Sequence, residues 1–308
     1  MILCCGEALI DMLPGETASG AEAFRPCPGG GLFNTAVALG RLGLRTGFLS
    51  GISTDPFGAR LIAALTAAGV TCDLAIRSDR PTTLAFALIR DGQARYVFYD
   101  EGSAGRMLAP VDLPAIPDRV QAMVFGGISL MAEPCGTAYE TLMRREAATR
   151  VTMIDPNIRP AMIRNEPAYR ARLARMLAVA DIVKLSDEDL RWLEGPGEIA
   201  DLARQVLARG PRLVFITEGA HGAHGFSARE TEFVPALSVP VVDTIGAGDT
   251  FNAGALAALE RAGALSKTAI AAASPALIRA ALAAGNRAAA VTVGREGADP
   301  PWATELEQ

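Results

Sequence analysis

The sequence predicts an α/β protein, a mostly parallel sheet covered by helices on both faces, with a small second β-sheet standing off it. Three observations carry that expectation. Short apolar runs alternate with helical patterns along most of the chain, as they do where parallel strands are joined by helical crossovers. The chain has 308 residues, 50% of them hydrophobic, which is enough core for one large α/β domain or a domain with a small appendage. One region breaks the alternation and reads as a hairpin.

Residues 2–9 form an apolar run short enough for a buried strand. It passes through Glu7-Ala8-Leu9-Ile10-Asp11, so Asp11 falls at or just beyond a strand's carboxyl end, where open α/β sheets hold ligands. The Pro/Gly/Ser-rich segment 14–28 is poorly suited to a core. Gly29, Gly30 and Gly31 follow, then Asn34 and a helical pattern over 35–42 stopped by Gly43. Further strands are expected near 46–51, 120–125, 151–154, 182–185 and 213–217. Helices are expected near 56–68, 134–150, 167–180 and 199–209. The break comes at 83–89 and 95–99, two strand-like runs joined by Arg90-Asp91-Gly92-Gln93-Ala94, whose Asp-Gly centre suits a hairpin turn. The resulting division assigns 1–11, 29–80 and 102–308 to the core, and 12–28 and 81–101 to the small sheet.

The stretch 243–254, Asp-Thr-Ile-Gly-Ala-Gly-Asp-Thr-Phe-Asn-Ala-Gly, carries the strongest chemical signal. It follows a β-branched apolar run at 239–242 and opens an alanine-rich helical pattern, which reads as a strand–turn–helix junction. The first turn of such a helix has unpaired N–H groups and a partial positive charge, so it suits an anion. Asp249 inside that turn has two readings. It is an N-terminal cap, or it is a base beside an anion hole, the arrangement needed to move a phosphoryl group onto an alcohol.

Other chemistries lack material. A formal net charge of −5 gives no reason to expect nucleic acid or an anionic membrane as partner, because both are bound largely through clustered positive charge. Only Lys184 and Lys267 are lysines, and neither stands in a GxxxxGK[ST] phosphate loop. The two histidines, His221 and His224, share a glycine-rich turn and read as loop or cap residues. The five cysteines form no CxxC pair and read as reduced packing residues. With no basic leader and no bilayer-length apolar stretch, the expected location is the cytoplasm.

Two separated motifs, Gly29-Gly30 with Asn34 and Asp243-Thr244-Ile245-Gly246-Ala247-Gly248-Asp249, resemble the two patterns of the ribokinase-like (PfkB) carbohydrate kinases. Asp155-Pro-Asn-Ile-Arg-Pro160, Lys184-Leu-Ser-Asp-Glu-Asp-Leu190, Ile216-Thr-Glu-Gly-Ala-His-Gly222 and the segments from Asn286 and Gly297 are similar to bacterial fructokinases, so the likeness runs nearly end to end.

The resemblance implies a ribokinase-like three-layer αβα core with a small β lid. It implies that Asp249 is the general base and that the amides of Gly246, Ala247 and Gly248 form the anion hole. Asp11, Gly30, Gly31 and Asn34 would meet the sugar, and Arg159 the substrate or its phosphate. On the residues alone, Asp11 reads as a strand end, Asn34 as a helix cap and Arg159 as a turn residue. Thr217, Gly219, Gly222 and Asn286 would line the ATP site. Asp243 and Thr244, with carbonyls near 291–294, resemble a monovalent-cation loop suited to K⁺.

Where many members carry Asn-x-x-Glu for Mg²⁺, this chain has Ser186-Asp187-Glu188-Asp189, leaving Asp189 to act on the ion through water. Kinases of 2-keto-3-deoxygluconate often carry Tyr-Arg where Tyr99-Asp100 stands, which favours a neutral ketohexose. The implied activity is ATP-dependent phosphorylation of D-fructose to fructose 6-phosphate, with pairing of two chains through the lid. The alternatives are a kinase of 2-keto-3-deoxygluconate, then of ribose or a nucleoside, and a binding protein without catalysis.

Overall fold

In the computed structural model, which describes residues 1–90 and 93–306, the strands build one nine-stranded sheet, a four-stranded sheet and a two-stranded ribbon. The large sheet runs Thr231–Pro235, Gly222–Ser227, Leu213–Thr217, Ile182–Ser186, Val151–Asp155, Ala122–Gly126, Ile2–Cys5, Thr46–Leu49 and Val70–Thr71. Its first two members pair antiparallel and the rest parallel.

The central strand shows why both faces must be covered. Ile2 and Cys4 pack with the helices Gly31–Arg41, Pro56–Ala67, Ala247–Arg261 and Pro275–Val293, while Leu3 and Cys5 pack with Cys135–Glu146, Glu166–Leu177, Asp187–Glu194 and Ile199–Ala208. Alternate residues therefore enter two separate cores, giving three layers. Cys4, Cys5 and Cys135 are buried in this packing and no cysteine is disulfide-bonded.

The run expected as one strand over 2–9 is two strands in two sheets. The chain leaves the large sheet at Gly6, where a side chain would collide with Leu32. The Gly6 carbonyl finds a substitute partner in the buried Tyr139 hydroxyl at 3.1 Å. Leu9–Glu16 then joins the small sheet, whose order is Glu22–Gly29, Leu9–Glu16, Leu84–Arg90 and Gln93–Tyr99. Asp11 thus hangs from the small sheet above the ends of the large one. The Asp91-Gly92 centre of the expected hairpin turn lies outside the described residues; the flanking strands pair antiparallel from Leu84↔Tyr99 onward.

The β-branched run 239–242 is not a strand. Val241 and Val242 are 64% and 63% exposed, and the Val242 N–H bonds to the Val293 carbonyl at 2.8 Å instead of a neighbouring strand. The strand nearest in sequence, Thr231–Pro235, alternates exposed and half-buried residues.

Candidate active site

The Ala247–Arg261 helix begins at Gly246, whose left-handed φ of 77° favours glycine, and a side chain there would also press on Ala298. Asp243 shapes the approach, its carboxylate accepting from the Ile245 and Gly297 N–H groups at 3.0 Å each. Of the three amides expected in the anion hole, that of Ala247 makes a long 3.3 Å turn bond to the Thr244 carbonyl. Those of Gly246 and Gly248 have no backbone partner outside the helix among the described residues.

Asp249 does not cap its helix. It is 7% exposed, and its Oδ2 accepts 2.9 Å from Asn34 Nδ2. Burial raises its pKa to about 7, against the opposing pull of the Asn34 bond. The cap reading of Asn34 falls with it, because the Asn34 amide is turned across to the carboxylate.

Two cavities meet at this helix start. One, of about 320 Å³, is lined by Asp11, Gly30, Gly31, Asn34 and Asp249 beneath Tyr96 and Phe98 of the small sheet. Burial lifts the Asp11 carboxyl to about 6. The other, of about 670 Å³, is lined by Thr217, Gly219, Gly222, Asn286 and Asp189. Asn157, Arg159, Lys184, Thr244 and Gly248 border both. The structure therefore brings the expected site residues together around one junction, with Asp243 behind it.

Asn286 is placed differently from a group free to read a base. Its Nδ2 donates to the Val234 and Pro235 carbonyls at 3.0 and 3.1 Å, so it braces the wall of the larger cavity.

Lys184 is the residue that sequence reasoning passed over. It is the middle residue of the Ile182–Ser186 strand, 4% exposed, with Nζ 3.1 Å from Asp155 Oδ2. Burial works against its charge, yet Asp155 and Asp189 hold its pKa above the ordinary lysine value. A Cβ on Gly248 would stand 2.9 Å from Nζ, so the ammonium touches the helix start from below. Its place on an expected parallel strand, just before that strand's carboxyl end, was the available signal. Asn157, with φ of 45°, is a second such residue, holding a left-handed backbone beside both cavities.

The donor set fits a hydrated Mg²⁺ better than a protein cage. No three His, Cys, Asp or Glu side chains converge on one point among the described residues. Asp189, 7% exposed, already accepts from the Ile158 N–H at 3.0 Å, which suits contact through water. In the loop compared with a K⁺ site, the Asp243 carboxylate and the Val293 carbonyl each accept backbone N–H groups.

A family model described as pfkB family carbohydrate kinase matches residues 1–305. The chain is 51% identical over 271 residues to a fructokinase of Rhizobium leguminosarum bv. trifolii, covering 88% of this chain and 83% of that one. The structure superposes on a fructokinase with bound ATP from Xylella fastidiosa with a TM-score of 0.87 at 29% identity, over 99% of this chain and 97% of the other. It also matches a fructokinase from Vibrio cholerae O395 in a form bound to fructose, ADP and calcium ion, with a TM-score of 0.82 at 26% identity over 96% and 94% of the two chains.

Proposed function

This chain belongs to the pfkB family of carbohydrate kinases, and on that premise we propose that it transfers the γ-phosphoryl group of ATP to a hydroxyl of D-fructose, giving fructose 6-phosphate and ADP. One observation carries the reading. Asp249 is a buried carboxylate with a pKa of about 7, and it lies on the first turn of a helix whose start separates a sugar-sized cavity from a larger one.

In this mechanism the sugar occupies the smaller cavity, held by Asp11, Asn34 and the Gly30-Gly31 backbone, and the nucleotide occupies the larger. A hydroxyl oxygen attacks the γ-phosphorus as its proton passes to Asp249, and the bond from that phosphorus to the bridging oxygen of ADP breaks. A carboxylate titrating near neutrality is well matched to that proton transfer. The Gly246 and Gly248 amides and the Lys184 ammonium meet the charge of the transferring group. Mg²⁺, when bound, neutralises charge on the phosphate oxygens, and Asp189 would hold it through water. Tyr96 and Phe98 cover the sugar and exclude water as a competing acceptor.

A sugar acid is the second reading, and Arg159 favours it by placing a guanidinium beside the smaller cavity. Asp100 bears less on the choice than its sequence position implies, since it is paired with Arg106 at 2.8 Å. Two chains pair through the face of the small sheet turned away from the sugar. There Phe24, Phe86 and Tyr99 form an edge-to-face cluster in which Tyr99 is 62% exposed. The free cysteines and the use of ATP support a cytoplasmic location for the reaction.

A coupled ADP-release assay with fructose, 2-keto-3-deoxygluconate, ribose, tagatose and adenosine, with and without K⁺, tests the reading. Turnover of fructose is expected. Turnover confined to the sugar acid overturns the substrate assignment, and ATP binding without turnover of any candidate identifies a binding protein.

A further inference from the structure

Glu7 is a buried carboxylate in the wall of the smaller cavity. It is 8% exposed, and its two oxygens hold two different parts of that wall. Oε1 accepts 2.9 Å from the Gly31 N–H, the first residue of the Gly31–Arg41 helix, which has no side-chain cap of its own. Oε2 accepts 3.3 Å from the Ser129 N–H, in the turn that follows the Ala122–Gly126 strand. A side chain at Gly127 would overlap the carboxylate, so that turn is wrapped closely around it. A negative group at an uncapped helix start also meets the helix dipole favourably.

The contact continues to the base. One turn beyond Gly31, the Thr35 hydroxyl lies 3.0 Å from the Gly31 carbonyl and 3.3 Å from the Asp249 carbonyl, and Asn34 donates to the Asp249 side chain at 2.9 Å. A Cβ on Gly31 would stand 3.2 Å from Glu7 Oε1, 3.2 Å from Asn157 Nδ2 and 3.4 Å from Asp249 Oδ1. The space beside Gly31 is thus bounded by an acceptor, a donor and the base, as a sugar hydroxyl requires.

We infer that Glu7 is a positioning residue for the sugar: its carboxylate ties the Gly31 helix start to the Gly127–Ser129 turn and so fixes the sugar cavity and the Asn34–Asp249 pair beside it. The inference rests on the kinase reading and deepens it at the same site. Glu7 lines only the sugar cavity of the two, so its effect is selective for one substrate.

Glu7→Gln separates this role from plain structural support. The amide offers one acceptor oxygen and presents N–H groups to the other backbone N–H, so one tie is lost. With ATP saturating and fructose varied, kcat/KM for fructose should fall about 10- to 100-fold through a raised KM, with the ATP KM within about 2-fold of wild type. Glu7→Asp keeps both oxygens but withdraws them by one methylene, and should show the same split to a smaller degree. Equal loss for both substrates in proportion to a lowered folded fraction, followed by thermal melting, would overturn the inference. So would an unchanged fructose KM in whichever of the two variants folds. Absence of wild-type turnover with every sugar overturns the kinase reading itself, and the inference with it.

Discussion

The Asn34 amide donates to the Asp249 carboxylate across a sequence separation of 215, joining the helix that begins at Gly31 to the helix whose start borders both cavities. The bond orients the carboxylate, leaving Oδ1 toward the space beside Gly31. It also opposes burial, the larger influence, in setting the pKa of Asp249, so a single amide bears both on where the carboxylate points and on when it is ionised.

Replacing Asp249 with Asn removes the proton acceptor while keeping the shape. General-base assistance is typically worth about 10²–10⁴ in rate, and kcat should fall by that order with the circular dichroism spectrum unchanged. Stability gives an independent check. The folded pKa is raised from 3.8 to about 7, so the wild-type chain loses stability as pH rises through that window. The Asn variant lacks this loss, and its melting temperature should gain on wild type between pH 4 and pH 8. Near wild-type turnover in the folded variant would remove Asp249 from the mechanism.

The pH profile should carry the mark of Asn34. For the wild type, kcat/KM should fall toward acid with an inflection near 7, as the base is protonated. Asn34→Leu removes a bond that lowers the Asp249 pKa, so its acid limb should move to higher pH. A profile with the same inflection in both proteins would show that another group controls the limb.

Lys184 stands in contact with the helix start and with Asp155 at once. Lys184→Met should lower kcat by about 10²–10³, the scale seen when one charge-stabilising donor is lost. It also leaves the Asp155 carboxylate buried without its cation, which costs about 3–5 kcal/mol when one partner of a buried pair is removed. The double variant Lys184→Met with Asp155→Asn should therefore regain stability without regaining rate. Recovery of rate with stability would reduce Lys184 to a structural partner of Asp155.

Much of the fold was legible because local signals and core packing agree. Asp55, before Pro56, caps the helix expected near 56–68 as its residue type requires. The glycines of 243–248 announced a tight approach for the same reason, since the left-handed Gly246 belongs to the local backbone. Reading failed where the partner decides the structure. The valines of 239–242 have strand chemistry but no adjacent strand, and residues 2–9 divide at Gly6 because Leu32 and Tyr139 meet them there. Lys184 was passed over for a related reason. Its motif is not a phosphate loop, and only the folding of the Ala247–Arg261 helix over its strand brings Nζ to Gly248.

Asn286 offers the sharpest test of how the nucleotide side is held. Its amide spans the Val234 and Pro235 carbonyls, and the backbone beyond them runs as an irregular segment through Leu237, Val239 and Val241 along the larger cavity. Asn286→Ala frees both carbonyls and with them that wall. The ATP KM should rise about 10-fold, the scale of one or two lost hydrogen bonds, while the fructose KM stays unchanged. Asn286→Asp should be worse, because it sets a carboxylate against two carbonyl oxygens. If Asn286 instead read the base directly, the Ala variant would change the preference between ATP and GTP. Bracing alone predicts equal loss for both nucleotides, because an amide engaged by the Val234 and Pro235 carbonyls does not itself discriminate between bases.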